Sequence, residues 1–199
     1  MTLRALMVDV DGVIVRHPQP GHRWDADLEA DLGVRSADLQ RAFFEPHFGS
    51  IVRGLEPIEP RLAQALEEIA PAVTAQALMA YWFEKDAALD HALLDALAPY
   101  RAGGLQLHLA TVQEHRRADY LWNTLGLKDR FDGLCHSAII GHAKPDPAYY
   151  AAVQARTGFA AHELLLLDDS ERNVAAAITA GWQGRIWTGE APLAEVLGF

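Results

Sequence analysis

Several short runs of the chain are apolar with little alternation between hydrophobic and polar positions. Leu3 to Val8, Leu105 to Ala110 and Leu164 to Leu167 are the clearest, and Gly184 to Trp187 is a less apolar candidate. Continuous apolar runs of this length are typical of parallel strands that are covered on both faces. The pattern therefore predicts a sheet buried between two layers.

Helical patterns separate these runs. One apolar stripe extends from Leu93 to Tyr100, a second pattern ends at Gly126, and two more follow Pro147 and Ser170. Strands that alternate with helices along a chain favour a doubly wound parallel sheet. We therefore predict an α/β fold of this Rossmann-like kind.

Residues 16–87 break this rhythm, because no strand candidate stands out there and apolar positions recur with helical spacing. Ser36 and Thr74 are typical of residues that cap the start of a helix. A helical block inserted after the first strand of an α/β core is typical of a cap or lid. We therefore expect residues 1–15 and 88–199 to form the core and residues 16–87 a helical cap.

The stretch Asp9-Val10-Asp11-Gly12 follows the first predicted strand. Ligands in open α/β sheets bind beyond the carboxyl ends of the strands. Side chains two residues apart on a strand point to the same side, so the carboxylates of Asp9 and Asp11 can converge there. Gly12 lets the backbone turn and approach a ligand closely. Taken alone, this pattern is equally compatible with a turn that carries two hydrated acids.

Two further groups near predicted strand ends suit a phosphate. Thr111 comes directly after the second apolar run, where its hydroxyl can hydrogen-bond a phosphoryl oxygen. In Lys144-Pro145-Asp146-Pro147, two prolines stiffen the loop, and Asp146 and Pro147 can start a helix. The lysine is then a compact positive charge on a rigid mount. Each group is a weak signal by itself, since threonine is common at strand ends and lysine on surfaces.

Asp168 and Asp169 follow the run of four leucines. Two adjacent acids at the mouth of a buried strand repel each other unless a cation lies between them. Mg²⁺ prefers one or two carboxylates together with waters and a substrate phosphate. The pair therefore predicts a magnesium site, although the acids could also serve only at the start of the next helix.

Together, these four stretches resemble the motifs of the haloacid dehalogenase-like superfamily of phosphohydrolases. The matching stretches are residues 6–13, 107–111, 144–147 and 165–174. The resemblance covers the layout of the whole chain, because members with a helical cap insert it between the first and second motifs. It implies a Rossmann-like core with an all-helical cap, and Mg²⁺-dependent hydrolysis of a small phosphate monoester, such as a sugar phosphate.

The resemblance also implies a role for each matched side chain. Asp9 would be the nucleophile that forms an aspartyl-phosphate. Asp11 would protonate the leaving oxygen and later activate a water molecule. Thr111 and Lys144 would hold the transferring phosphoryl oxygens, and Lys144 would also steady Asp9.

The same resemblance implies a set of metal ligands. Mg²⁺ would be held by Asp9, the main-chain carbonyl oxygen of Asp11, Asp168 and Asp169. Asn173 would orient the lysine loop or these acids.

Position 112 departs from the family pattern, because many relatives have asparagine there and this chain has Val112. Asp11 argues against the dehalogenases of the superfamily, which lack an aspartate at that position. Relatives that cleave phosphonates need a reactive lysine in the cap, where this chain offers only Lys85. A sugar-phosphate mutase would keep all four motifs, and a non-catalytic binding protein could retain the fold, so both alternatives stay open.

Cap residues that could face a substrate are few. The aromatic ones could equally form the cap's own core, so Arg53 is the best candidate for reaching a polar substrate. The full set is Phe43, Phe44, His47, Phe48 and Arg53.

Composition narrows the class of protein. The chain has 199 residues, half of them hydrophobic, and a formal net charge of -10, which disfavours nucleic acid as a partner. Cys135 is the only cysteine, so no intrachain disulfide can form, and we expect it to be a packing residue. We see no secretory signal and no apolar stretch of membrane-spanning length, and we expect a cytoplasmic enzyme. The oligomeric state is not determined by the sequence.

Overall fold

A single parallel sheet forms the centre of the molecule. The computed structural model describes residues 3–17 and 23–199. The sheet has the strand order β3-β2-β1-β4-β5, and all of its strand pairs are parallel. The strands are β1 Ala5–Val8, β2 Gln106–Thr111, β3 Gly133–His136, β4 Leu164–Asp168 and β5 Gln183–Ile186. The prediction of a doubly wound parallel sheet is confirmed.

Both faces of the sheet are buried, which explains why its strands are apolar without alternation. On β1, Leu6 and Val8 belong to one hydrophobic cluster, while Ala5 and Met7 belong to another on the opposite face. All four side chains are fully buried. Helices therefore cover the sheet on each side, as expected for strands that follow the parallel pattern.

Eleven α-helices are present in the described residues. π-Helical segments lie at residues 40–48 and 120–124, and short 3₁₀-helical turns lie at residues 127–129 and 161–163. The α-helices are α1 Leu28–Leu32, α2 Ser36–Leu39, α3 Gly49–Ile51, α4 Ile58–Ile69, α5 Ala75–Lys85, α6 His91–Ala102, α7 His115–Asp119, α8 Ser137–Ile140, α9 Pro147–Thr157, α10 Glu171–Thr179 and α11 Leu193–Leu197.

The predicted helix caps were partly correct. The Thr74 hydroxyl accepts a hydrogen bond of 3.1 Å from the main-chain N–H three residues on, and Asp146 accepts one of 2.9 Å at the start of α9. The prediction for Ser36 was wrong, because Ser36 is the first residue of α2 and donates its hydroxyl to the Asp25 carbonyl, 3.0 Å away. Because Ser36 lies inside the helix, its hydroxyl binds the segment before α1 and does not cap α2.

The inserted helices α1 to α5, which lie between β1 and α6, have a hydrophobic core of their own. Phe43, Leu62 and Trp82 are buried within it, and the Trp24 ring stacks on Trp82 with centroids 5.2 Å apart. Phe44 and Phe48 pack against the same cluster. These aromatic residues therefore stabilise the inserted helices, which was the alternative to facing a substrate.

The two segments that connect the inserted helices to the sheet lie side by side. The Arg16 N–H donates to the Ala88 carbonyl over 2.9 Å, and the Asp90 N–H donates to the Ile14 carbonyl over 2.8 Å. The segment that leaves β1 and the segment that returns to α6 are thus hydrogen-bonded to each other. No helix in the described part of the chain has both the length and the apolar character needed to cross a membrane.

Replacing Leu62 with alanine tests whether the inserted helices are held by this separate core. Leu62 is 1% exposed, whereas Leu55, in the same block, is 66% exposed. Leu62→Ala should lower the free energy of unfolding by about 2–5 kcal/mol, because it removes buried contacts and leaves a cavity. Leu55→Ala should change it by less than about 0.5 kcal/mol. Equal losses in chemical denaturation would contradict this assignment of the core.

Candidate active site

The ends of the three central strands bring the predicted residues to one edge of the sheet. Val8 pairs with Leu109 of β2 and with Leu167 of β4 in parallel register. The Asp9 N–H continues this ladder by donating to the Leu167 carbonyl over 2.9 Å. Residues at or just beyond the ends of β1, β2 and β4 must therefore lie near one another, although they are far apart in sequence.

Lys144 lies between two of these acids. Its Nζ is 2.9 Å from Oδ1 of Asp9 and donates a short hydrogen bond to Oδ2 of Asp168, and its side chain is fully buried. Burial alone would lower the pKa of Lys144, but the two carboxylates outweigh it and raise that pKa. The two carboxylates therefore favour the charged form of this buried lysine. Its loop is anchored by Asp146 at the start of α9.

Asp168 is held from several directions. The Asn173 side-chain amide donates to both of its carboxylate oxygens, at 3.0 and 3.2 Å, and the Ser170 N–H donates to Oδ1 at 2.9 Å. The Tyr150 hydroxyl donates to the Asn173 carbonyl over 2.8 Å. Asn173 thus makes the contact with an acid that the sequence analysis expected. Ser170 precedes α10 as predicted, but its side chain makes no capping hydrogen bond.

Asp169 completes a cluster of three acids. Carboxylate oxygens of Asp9, Asp168 and Asp169 all lie within 4.8 Å of one another, which is close enough for one metal ion. Gly12 lies against this cluster with a φ of 81°, and a Cβ there would be 2.2 Å from an Asp169 oxygen. Only glycine therefore lets the turn after β1 approach Asp169 this closely.

The cluster carries more negative charge than its surroundings balance. Burial raises the pKa of Asp9 to about 6, while the Lys144 ammonium opposes this rise. Burial and the neighbouring Asp168 charge raise the pKa of Asp169. Three carboxylates beside one ammonium leave a formal excess of two negative charges, which is the charge that one divalent cation would neutralise.

The Asp11 carboxylate faces a different set of groups. Gln113 Nε2 donates to Oδ2 of Asp11 over 2.6 Å, and an Arg117 nitrogen lies 4.0 Å from Oδ1. The Asp11 side chain is 53% exposed and keeps part of its hydration. Burial of the rest of the group nevertheless raises its pKa to about 7. A carboxyl group with a raised pKa can give and take a proton near neutral pH.

Thr111 ends β2 with its hydroxyl buried. Among the described residues, none makes a hydrogen bond to Thr111 Oγ1. A buried polar atom without a partner is costly and uncommon in native structures. Because this hydroxyl lies at the end of the strand, a ligand bound there would supply its missing hydrogen-bond partner.

Sequence reasoning missed Gln113 and Arg117. Both are buried, and Arg117 is only 1% exposed. Arg117 donates to the carbonyls of Phe83 and Asp86 and pairs with the Asp86 carboxylate at 3.1 Å. Its partners lie at the end of α5 and just beyond it, more than 30 residues away along the chain, so no local signal could have revealed them.

Other residues singled out in the sequence lie outside the acid cluster. Cys135 is buried on one face of the sheet, and burial raises its pKa to about 11, which agrees with a packing role. Arg53 donates its Nε to the Gly49 carbonyl of its own helical segment over 2.9 Å and is exposed. Its predicted contact with a substrate stays a prediction.

Comparison with protein families gives a match over most of the chain. The model of haloacid dehalogenase-like hydrolases matches residues 3–181. No curated protein sequence matches the chain significantly.

Solved structures share the whole architecture. A haloacid dehalogenase-like (HAD) family enzyme from Bacteroides thetaiotaomicron has a TM-score of 0.81 at 18% identity, covering 98% of each chain. It was solved as an aspartate-to-alanine mutant with magnesium and inorganic phosphate. A predicted HAD-like family hydrolase from Porphyromonas gingivalis has a TM-score of 0.80 at 18% identity, covering 100% of this chain and 98% of the other. A magnesium-bound candidate HAD hydrolase from Bacillus subtilis has a TM-score of 0.63 at 17% identity, covering 96% of this chain and 89% of the other.

Replacing Lys144 with methionine tests whether this lysine neutralises the buried acids. Without the ammonium, Asp9 and Asp168 would be left as uncompensated buried charges at pH 8. The free energy of unfolding, measured with a chelator present, should fall by about 3–5 kcal/mol. Lys128→Met removes an exposed lysine and should change it by less than about 0.5 kcal/mol. Similar values for the two variants would show that Lys144 does not balance these charges.

Proposed function

The chain belongs to the haloacid dehalogenase-like hydrolase family, and we propose that it hydrolyses small phosphate monoesters with Mg²⁺ as its cofactor. The observation that carries this proposal is the cluster of Asp9, Asp168 and Asp169 around the buried Lys144. The relative from Bacteroides thetaiotaomicron was solved with magnesium and inorganic phosphate, and we extend that ligand class to this chain.

The residues present fit a magnesium ion. Mg²⁺ prefers carboxylate oxygens, a few waters and phosphate oxygens, and the three acids offer hard oxygen ligands with a formal excess of negative charge. We propose Asp9, Asp168, Asp169 and the main-chain carbonyl oxygen of Asp11 as its ligands. When bound, the ion would reduce the repulsion between an anionic nucleophile and an anionic phosphate.

In the proposed first step, an Asp9 carboxylate oxygen attacks phosphorus and the bond from phosphorus to the leaving oxygen breaks. Asp11 gives its proton to that leaving oxygen, so that it departs as an alcohol. The product on the protein is an aspartyl-phosphate at Asp9.

In the second step, water attacks the phosphorus of the aspartyl-phosphate. Asp11, now deprotonated, takes a proton from this water, and the bond between phosphorus and Asp9 breaks to release inorganic phosphate. The Lys144 ammonium and the Thr111 hydroxyl bind the phosphoryl oxygens. The unpartnered Thr111 Oγ1 supports this role, because a phosphoryl oxygen would supply the missing hydrogen-bond partner.

We further propose that residues 16–87 act as a cap over this site, with residues 1–15 and 88–199 as the catalytic core. The separate hydrophobic core of the inserted helices supports a distinct unit. The hydrogen bond from the Arg16 N–H to the Ala88 carbonyl, which joins the two connecting segments, supports it as well. A cap of this kind would exclude water and select the leaving group.

Hydrolysis is favoured over the related chemistries by two residues. Cleavage of a carbon–halogen bond needs no acid for the leaving group, so the protonatable Asp11 favours phosphate esters. Lys85, the cap lysine that a phosphonate-cleaving relative would need, pairs with Asp31 at 3.2 Å on the surface of the inserted helices. The charge of Lys85 is therefore already paired with Asp31, which does not belong to the acid cluster.

The proposal predicts phosphate release from a panel of phosphorylated metabolites and from phenyl phosphate, measured with Mg²⁺. Asp9→Asn should reduce the rate at least about 1000-fold, because an amide cannot act as the nucleophile. Removal of Mg²⁺ with a chelator should abolish release, and added Mg²⁺ should restore it. Asp95→Asn replaces an aspartate that is 72% exposed and pairs with Arg130, and it should retain full activity.

Two results would contradict this function. Phosphate release that survives Asp9→Asn would exclude the aspartyl-phosphate route. Interconversion of sugar phosphate isomers without net phosphate release would identify a mutase instead of a hydrolase.

A further inference from the structure

We propose that Gln113 is a positioning residue for Asp11, holding the carboxyl group in the orientation from which it protonates the leaving oxygen. This inference rests on the proposed function, since it assigns Asp11 as the acid. Its basis is the side-chain hydrogen bond from Gln113 Nε2 to Asp11 Oδ2, which is 2.6 Å long. Gln113 does not belong to the acid cluster and contacts Asp11 from the segment that follows β2.

Gln113 is a rigid support. It is 5% exposed, so its amide has little freedom to turn toward water. Its main-chain carbonyl accepts hydrogen bonds of 3.2 Å from both the Ser137 hydroxyl and the Ala138 N–H at the start of α8. The main chain of Gln113 is therefore anchored to the start of α8, which fixes the point from which its side chain extends.

The second oxygen of Asp11 has a weaker contact. An Arg117 nitrogen lies 4.0 Å from Oδ1, which exceeds hydrogen-bond distance. The Arg117 guanidinium is itself engaged by the Phe83 carbonyl at 3.1 Å and by Asp86. It supplies a fixed positive field, but the direction of the Asp11 carboxyl group is set by Gln113.

The exposure of Asp11 explains why it needs such a support. Its side chain is 53% exposed, so the carboxyl group would be free to rotate toward water without the Gln113 amide. A general acid must lie within hydrogen-bond reach of the atom that it protonates. The amide binds Oδ2 and leaves the other oxygen free to carry the proton.

Gln113 directly follows Val112, the position at which the chain departs from the family pattern. Where many relatives have asparagine directly after the second motif, this chain has an apolar residue, and an amide side chain follows one position later. The amide of Gln113 reaches Asp11.

The experiment compares two aryl phosphates that differ in their need for an acid. Phenyl phosphate releases a basic phenolate that must be protonated, whereas 2,4-dinitrophenyl phosphate releases a stable anion. Gln113→Met keeps the length of the side chain but removes the donor. It should lower kcat/KM for phenyl phosphate, which reports the first step alone, at least about tenfold, part of the factor of 10²–10⁴ typical of acid catalysis. It should lower kcat/KM for the dinitrophenyl ester less than about threefold, because that leaving group needs no acid. The second step, in which Asp11 acts as the base, is common to both esters and affects only kcat.

Three matched variants complete the design. Asp11→Asn should show the same discrimination between the two esters, but more strongly. Gln113→Glu keeps the shape of the side chain, replaces the donor with an acceptor and should show the same discrimination. Gln64→Met makes the same exchange as Gln113→Met at an exposed position of α4 and should change neither rate.

Several results would overturn the inference. Equal losses of kcat/KM with both esters, or no loss with phenyl phosphate, would show that Gln113 does not act through the leaving-group acid. Loss of cooperative unfolding in both Gln113 variants would identify a purely structural residue. If Asp9→Asn stays active, the proposed function itself fails; if it is inactive while Gln113→Met shows no discrimination, only the present inference fails.

Discussion

The buried contact of Lys144 with Asp9 and Asp168 is the interaction on which the rest of the site depends. Carboxylates that are removed from water need a compensating charge, and one ammonium between two of them supplies only part of it. Asp169 adds a third negative charge at the same place. The site thus keeps a formal excess of negative charge, which would attract a divalent cation.

The sheet provides this arrangement because parallel neighbouring strands end at the same edge. β1 and β4 bring Asp9 and Asp168 together, and β2, on the other side of β1, ends in Thr111. The inserted helices have their own hydrophobic core, so their packing does not depend on the acid cluster. The contacts of Arg117 with Phe83 and Asp86 nevertheless tie the end of these helices to the segment beside Asp11.

Much of the fold was predictable, because continuous apolar runs mark strands that are buried on both faces. The prediction failed at β3, where only Leu134 and Cys135 are apolar between a glycine and a histidine. The acids were predictable because they follow apolar runs, and Lys144 was predictable because it precedes a loop with two prolines. Gln113 and Arg117 could not, since their importance depends on contacts with Asp11 and with distant carbonyls that only tertiary structure creates.

Calorimetric titration of the metal-free protein with Mg²⁺ tests the central claim most directly. The charge balance around Lys144 predicts one bound ion per chain, with binding strongly weakened in Asp169→Asn and unchanged in Asp95→Asn, whose aspartate is exposed and paired with Arg130. Asp169→Asn replaces a charged oxygen with a neutral amide oxygen and lowers the formal excess of negative charge from two to one. Failure to bind Mg²⁺, or equal affinities in the two variants, would contradict the account.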